Sequence, residues 1–228
     1  MSKKELMKKS TYNFSDLVEI VDLLRAPDGC PWDREQTHQS IRKGLIEETY
    51  EVVEGIDRDD SEIMCEELGD LLLQVVFHAS IAKDDNRFDL DKICDGICKK
   101  LIYRHPHVFS TVEVADSDEV LRNWDELKQK EKKQQNVADV LDGVSRALPS
   151  LMRAQKLIKK ADDETDRNTA LENILNTANN MKDEQDLNES IGKLLFECAR
   201  LANTQKIDLE QALYNENEGF CDKMRKKY

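Results

Sequence analysis

The chain has 228 residues, enough for one large or two small self-sufficient cores. A formal net charge of −13 and a pI near 4.9 set up a field that repels phosphate backbones and anionic lipid, so a nucleic acid polymer is excluded as a partner, while a small phosphate ligand needs local cations or a metal. With 36% charged residues, 6% aromatics, 4 Pro and 8 Gly, the composition predicts an all-α fold with charged outer faces.

Along the chain, apolar spacing predicts a helix over 15–25, ended by Ala26-Pro27-Asp28-Gly29-Cys30-Pro31-Trp32-Asp33, whose Pro and Gly cannot continue it. A helix over 38–57 follows. Asp59, Asp60 or Ser61 caps the next, which is apolar nearly all round and ends near Asp84. A fourth helix over 90–104 stops at His105-Pro106, and another begins after Asp116 or Ser117 and runs to 133. Residues 134–142 are polar and weakly patterned, which places a linker at 136–147 between domains at 1–135 and 148–228. Helical spacing returns over 148–161, 168–181, 187–203 and 209–227.

No stretch approaches the ~18 apolar residues of a membrane span, and the lysine-bearing start is followed by no apolar run, so the expected location is cytoplasmic, with no membrane partner. Six cysteines without a C-x-x-C pair are expected as reduced thiols; Cys94 and Cys98 share a helix face, where packing is favoured over metal binding.

The chemistry concentrates in two acidic segments. In Glu47-Glu48-Thr49-Tyr50-Glu51, helical spacing projects Glu48 and Glu51 together with Glu47 at the margin; Glu67-Leu68-Gly69-Asp70 repeats that geometry on the next helix. A short turn makes the two helices antiparallel neighbours. If the pairs face each other, the carboxylates repel and resist ionisation unless a cation is present. An oxygen-only donor set favours Mg²⁺ or Mn²⁺ over Zn²⁺. The other reading is of ordinary solvated acids in a chain with 47 Asp and Glu, against which Gly69, costing ~1 kcal/mol within a helix, suggests close approach of a backbone or ligand.

These segments, together with Gly29-Cys30-Pro31-Trp32-Asp33-Arg34-Glu35-Gln36-Thr37, Gly69-Asp70-Leu71-Leu72-Leu73-Gln74 and Arg104-His105-Pro106-His107-Val108-Phe109, resemble in order and spacing the MazG family of all-α nucleoside triphosphate pyrophosphohydrolases. Leu148-Pro149-Ser150-Leu151-Met152-Arg153-Ala154-Gln155-Lys156 extends the resemblance beyond residue 140. It implies Mg²⁺-dependent hydrolysis of a nucleoside triphosphate between the α and β phosphates, releasing the monophosphate and pyrophosphate. Carried over to this sequence, Glu48, Glu51, Glu67 and Asp70 are the implied metal ligands and Glu47 a nearby ligand or base. The alternative is a nucleotide-binding regulatory helical protein without turnover.

Lys100 and Arg104, at i and i+4, are candidates for holding phosphate oxygens; a cationic last turn complementing the helix dipole is the competing account. The family run resembled here has an acid where this chain has Lys99 and an arginine where it has Tyr103. Trp32 is a candidate for stacking on a nucleobase, although a packing role is the commoner one. His105 and His107 are assigned no chemistry.

The second half resembles the first with its acids removed. Leu187-Asn188-Glu189-Ser190-Ile191-Gly192-Lys193-Leu194-Leu195-Phe196 matches the Glu67–Asp70 segment in apolar pattern and glycine, with Ser190 opposite Glu67 and Lys193 opposite Asp70. Asn176-Thr177-Ala178-Asn179-Asn180 lies where E-E-x-x-E would be. The expectation is two tandem MazG-like units with four-helix-bundle-type cores, the second unable to bind Mg²⁺, and a homodimer completing the bundle.

Overall fold

The computed structural model describes residues 3–181 and 187–227, and among these every regular element is a helix. The chain forms two compact units, 1–113 and 114–228.

In the first unit, α1 (Lys3–Leu6), α2 (Phe14–Arg25), α3 (Pro31–Glu35), α4 (Arg42–Asp57), α5 (Ser61–Asp84), α6 (Leu90–Arg104) and α7 (Pro106–Phe109) follow in order. The α2 start is set by a capping box, Asn13 accepting from the Asp16 backbone while the Asp16 side chain accepts from that of Asn13. Asp60 is the cap of α5, and Asp59 turns the chain at φ 51°. Helix α4 begins at Arg42, later than expected, because Thr37 and Ser40 exchange side chain to backbone hydrogen bonds in a turn before it.

The core of this unit is Val21, Val76, Phe77 and Ile81, with Leu17, Val18, Ile41 and Leu73 against it. It therefore gathers on the C-terminal half of α5. There Arg25 donates to Ser80 Oγ (3.1 Å), the Asp33 carbonyl (2.7 Å) and Asp84 (2.6 Å), its guanidinium 5.3 Å from the Phe77 ring centre, so one side chain ties α2 to α5 and to α3. The N-terminal half of α5 is different: Leu68 and Leu72 are exposed, as are Ile46, Tyr50, Val53 and Ile56 on α4.

The second unit contains α8 (Ser117–Glu131), α9 (Val137–Asp142), α10 (Ser150–Lys160), α11 (Arg167–Asn180), α12 (Leu187–Thr204) and α13 (Leu209–Arg225). Division at 113/114 places α8 here, ahead of the expected linker at 136–147. That segment holds α9, nucleated by a capping box between Asn136 and Asp139 and packed on α10. Helices α11 and α12 pack side by side over buried Ala170, Ala199 and Ala202. Gln155 of α10 pins the start of α13, donating to Asn203 Oδ1 and the Ile207 carbonyl and accepting from the Leu209 amide. All six cysteines are free thiols, and no described helix is long and apolar enough to cross a membrane.

Candidate metal centre

Two glycines set the register of the α4–α5 hairpin. A Cβ on Gly55 would lie 2.8 Å from the Met64 backbone nitrogen, so the helix backbones approach closely there, and at the other end of the contact the Gln74 side chain reaches over Gly44, its Nε2 3.0 Å from where a Cβ would be. With the helices antiparallel, counting inward from these points sets Glu48 level with Asp70 and Glu51 level with Glu67.

The side chains follow that register. Glu48, Glu67 and Asp70 each offer an oxygen, and the three oxygens lie within 4.8 Å of one another. Burial pushes the Glu48 carboxyl above its ordinary range, and the charges of Asp70, Glu51 and Glu67 and a hydrogen bond with Glu51 push it further. Glu67 is raised in the same direction, by desolvation first and then by Glu51, Glu66 and Asp70. The donor set suits a hard divalent cation: oxygens only, convergent from two helices, and mutually repulsive until a positive charge is placed among them.

Glu51 joins this group electrostatically, beside Glu48. Glu47 turns away and pairs with Lys43 at 2.8 Å, an exposed i,i+4 contact whose hydrogen bond raises the Lys43 ammonium. Lys100 is exposed on α6, Arg104 is buried at the end of that helix, and Lys99 pairs with Asp95 at 2.8 Å. The i,i+4 pair of Lys100 and Arg104 thus has one member in solvent and one in the interior. Trp32, in the first turn of α3, is 65% exposed, which leaves its face free of a packing role within the unit. Gly69 has open space where a Cβ would be, so among the described residues no backbone approaches it, which removes the backbone half of the sequence expectation of a backbone or a ligand.

A feature with no signal in the sequence lies further along α5. His38 and His78, forty residues apart, share a hydrogen bond between their Nδ1 atoms at 2.7 Å with rings stacked at 5.0 Å. One Nδ1 carries the proton and the other accepts it. Both Nε2 atoms and Gln74 Oε1, one turn from His78, are buried without hydrogen-bond partners, and desolvation, then His38, lowers the His78 imidazole below its ordinary value.

In the second unit, Asn173 Nδ2 donates to Glu197 Oε2 at 3.2 Å across α11 and α12. Six residues separate the helices, a short connection of the kind that joins antiparallel neighbours. Counting from that contact sets Thr177 level with Lys193 and Asn180 level with Ser190. Lys193 is paired with Glu189 at 2.6 Å, and Ser190 is buried. Where the first hairpin collects four carboxylates, this one has a hydroxyl, an amide, a second hydroxyl and an ammonium.

The sequence is similar to known proteins over most of its length. Residues 36–109 match the MazG nucleotide pyrophosphohydrolase domain, which spans both acidic segments. The chain is 39% identical over 222 residues to the nucleoside triphosphate pyrophosphohydrolase of Escherichia coli (strain K12), covering 92% of this chain and 84% of that one. It is 36% identical over 228 residues to the nucleoside triphosphate pyrophosphohydrolase/pyrophosphatase MazG of Thermotoga maritima, covering 96% and 87%. YabN of Bacillus subtilis, an uncharacterised protein, is 39% identical over 220 residues, and there the chain spans only 45% of the relative's length. The chain belongs to the MazG nucleotide pyrophosphohydrolase family.

Proposed function

We propose that the first unit hydrolyses nucleoside triphosphates to the monophosphate and pyrophosphate at the acidic cluster, with Mg²⁺, or Mn²⁺ in its place, held by Glu48, Glu67 and Asp70 and completed by Glu51. The convergence of three carboxylate oxygens within 4.8 Å, from two helices whose backbones approach closely at Gly55, carries this reading. When bound, the ion supplies charge neutralisation of the triphosphate oxygens and a lowered pKa for the attacking water. Water adds its oxygen to the α phosphorus, the bond to the bridging oxygen breaks, and pyrophosphate leaves.

The side chains divide that work. Glu67 and Asp70 on α5 and Glu48 on α4 would hold the ion together, so its binding would depend on hairpin closure. Glu51, hydrogen-bonded with Glu48, is placed to accept a proton from the attacking water when it is not fully engaged as a ligand. Lys100 and Arg104 are the phosphate contacts of this reading and Trp32 its base-stacking surface. Glu47, paired with Lys43, has no direct role in this reading.

The second unit is, on this reading, a degenerate copy whose α11–α12 hairpin keeps the register and lacks the ligands. The exposed Tyr50, Val53, Ile56, Leu68 and Leu72 form the face that a second copy of the chain covers in a homodimer. The deciding experiment is a pyrophosphate-release assay with and without Mg²⁺ on the wild type and Asp70→Ala. Turnover that needs the metal and disappears in the variant, with helix content unchanged, is expected; undiminished turnover in Asp70→Ala overturns the site assignment.

A further inference from the structure

The second unit contains a concentration of positive charge that the proposed chemistry does not use. Within the second unit, Lys128 of α8, Lys132 at its C-cap, and Lys156 and Lys160 of α10 line one cleft of about 30 Å³. Their helical spacings, four residues apart on each helix, place each pair on a single face. One carboxylate opposes them: Asp125, which pairs with Lys160 at 2.7 Å and so links the two helices. The cleft is continuous with a cavity of about 420 Å³ through shared walls at Asp125, Gln129, Gln134 and Lys160.

A solvated lysine face is the ordinary explanation for such a stripe and suits the exposed Lys132 and Lys156, but burial argues against it for the other two. The Lys160 side chain is 19% exposed and Lys128 is half-buried, so these stems are packed. Burial first, and then the charges of Lys160, Lys132 and Lys156, lower the Lys128 ammonium from its ordinary value, the mark of like charges held together. The surplus over Asp125 calls for an anion of more than one charge. Lysines present rotatable point donors suited to phosphate oxygens, and the carboxamide of Gln129, on the wall shared with the larger cavity, adds a neutral donor, whereas that of Gln134 donates to the Asp139 carbonyl. The chain's net charge of −13 disfavours a nucleic acid polymer, leaving a small polyphosphate.

We propose that the lysine cleft between α8 and α10 binds a polyphosphate group, free pyrophosphate or the phosphate chain of a nucleotide, without a metal ion and with residues of the second unit alone. The terminal phosphoryl oxygens enter the cleft and the remainder of the ligand lies in the 420 Å³ cavity. This site differs in kind from the acidic cluster, which repels phosphate until a cation is present. Removing metal therefore separates the two.

The test is calorimetric titration of the full chain with inorganic pyrophosphate in chelator at low salt. Saturable binding is expected in the wild type and in Asp70→Asn, with affinity reduced at least tenfold in Lys128→Gln/Lys156→Gln and largely kept in Lys128→Arg. If the double variant loses helix content, Lys132→Gln, on an exposed side chain, carries the test with an expected weakening of about threefold, the scale of one exposed charge contact. Repeating the titration with a nucleoside triphosphate in chelator, where turnover is absent, separates the sources: tighter binding of pyrophosphate identifies the free anion, and tighter binding of triphosphate identifies a nucleotide. No saturable binding, affinity unchanged in the lysine variants, or loss of binding in Asp70→Asn overturns the proposal. Loss of hydrolysis in Asp70→Ala bears only on the acidic cluster.

Discussion

Helices α4–α5 and α11–α12 are hairpins of similar construction with opposite electrostatics. The first is held in register by glycine contacts at Gly44 and Gly55 and collects Glu48, Glu51, Glu67 and Asp70 at its centre. The second is held in part by an amide-to-carboxylate hydrogen bond between Asn173 and Glu197 and has Thr177, Asn180, Ser190 and Lys193 at the matching level. A hairpin of this type evidently does not need the acids in order to pair. The acids are a burden on the first hairpin, since burial and mutual repulsion raise Glu48 and Glu67, whereas the second relieves its charges locally through the Lys193–Glu189 pair.

The sharpest way to break the contrast is by activity. Asp70→Ala is expected to lower triphosphate hydrolysis by ~10²-fold or more, the scale of losing a preorganised electrostatic contact, whereas Lys193→Ala should leave the rate within about twofold. Equal losses from both, measured by pyrophosphate release, would remove the distinction between the hairpins.

Metal linkage gives the next largest effect. At hundredfold excess over its Kd, Mg²⁺ should stabilise the wild type by about 2.7 kcal/mol, which corresponds to roughly 5–10 °C in Tm, and should do nothing for Glu48→Gln/Glu67→Gln. Differential scanning calorimetry reads both.

Glycine substitutions address the register. Gly55→Ala forces a methyl against the Met64 backbone and should cost about 1–3 kcal/mol, while Gly192→Ala, with open space around it, should stabilise the second hairpin by up to ~1 kcal/mol. Chemical denaturation of the two variants measures the difference, and a neutral Gly55→Ala would sink the register argument.

Smaller effects come from titration. In chelator, Glu67→Gln should raise Tm, because a carboxyl raised in the folded state contributes stability that is present below its ordinary range and lost as pH rises through its folded value. His78 has the opposite sense: its imidazole is lowered, so stability falls as pH drops through the ordinary imidazole range towards the folded value. The fall in Tm between pH 7.5 and 5.5 should be shallower in His78→Asn.

Much of this was legible in the sequence because it is periodic or local. The i,i+3 spacing of Glu48 with Glu51 and Glu67 with Asp70, the Asp60 cap and the stop at His105-Pro106 all act over a few residues and appear in the structure as helices α4, α5 and α6. The short helices α3, α7 and α9 have too few turns to show a period, although the Asn136–Asp139 capping box is a readable signal for the last. Position relative to the interior was the larger gap. Spacing put Lys100 and Arg104 on one face, yet Arg104 is buried, and spacing placed Glu47 beside the cluster, yet Lys43 four residues earlier draws it outward. The meeting of His38 with His78 depends on how a loop returns to α5, which no local rule encodes.

The division of the candidate ligands between α4 and α5 has a consequence for motion. Neither helix alone can hold the ion as proposed, so binding measures the free energy of keeping the hairpin shut. Added Mg²⁺ should therefore slow amide hydrogen exchange on both helices in step, including amides a turn or more from any carboxylate, and leave α11 and α12 exchanging at their metal-free rates.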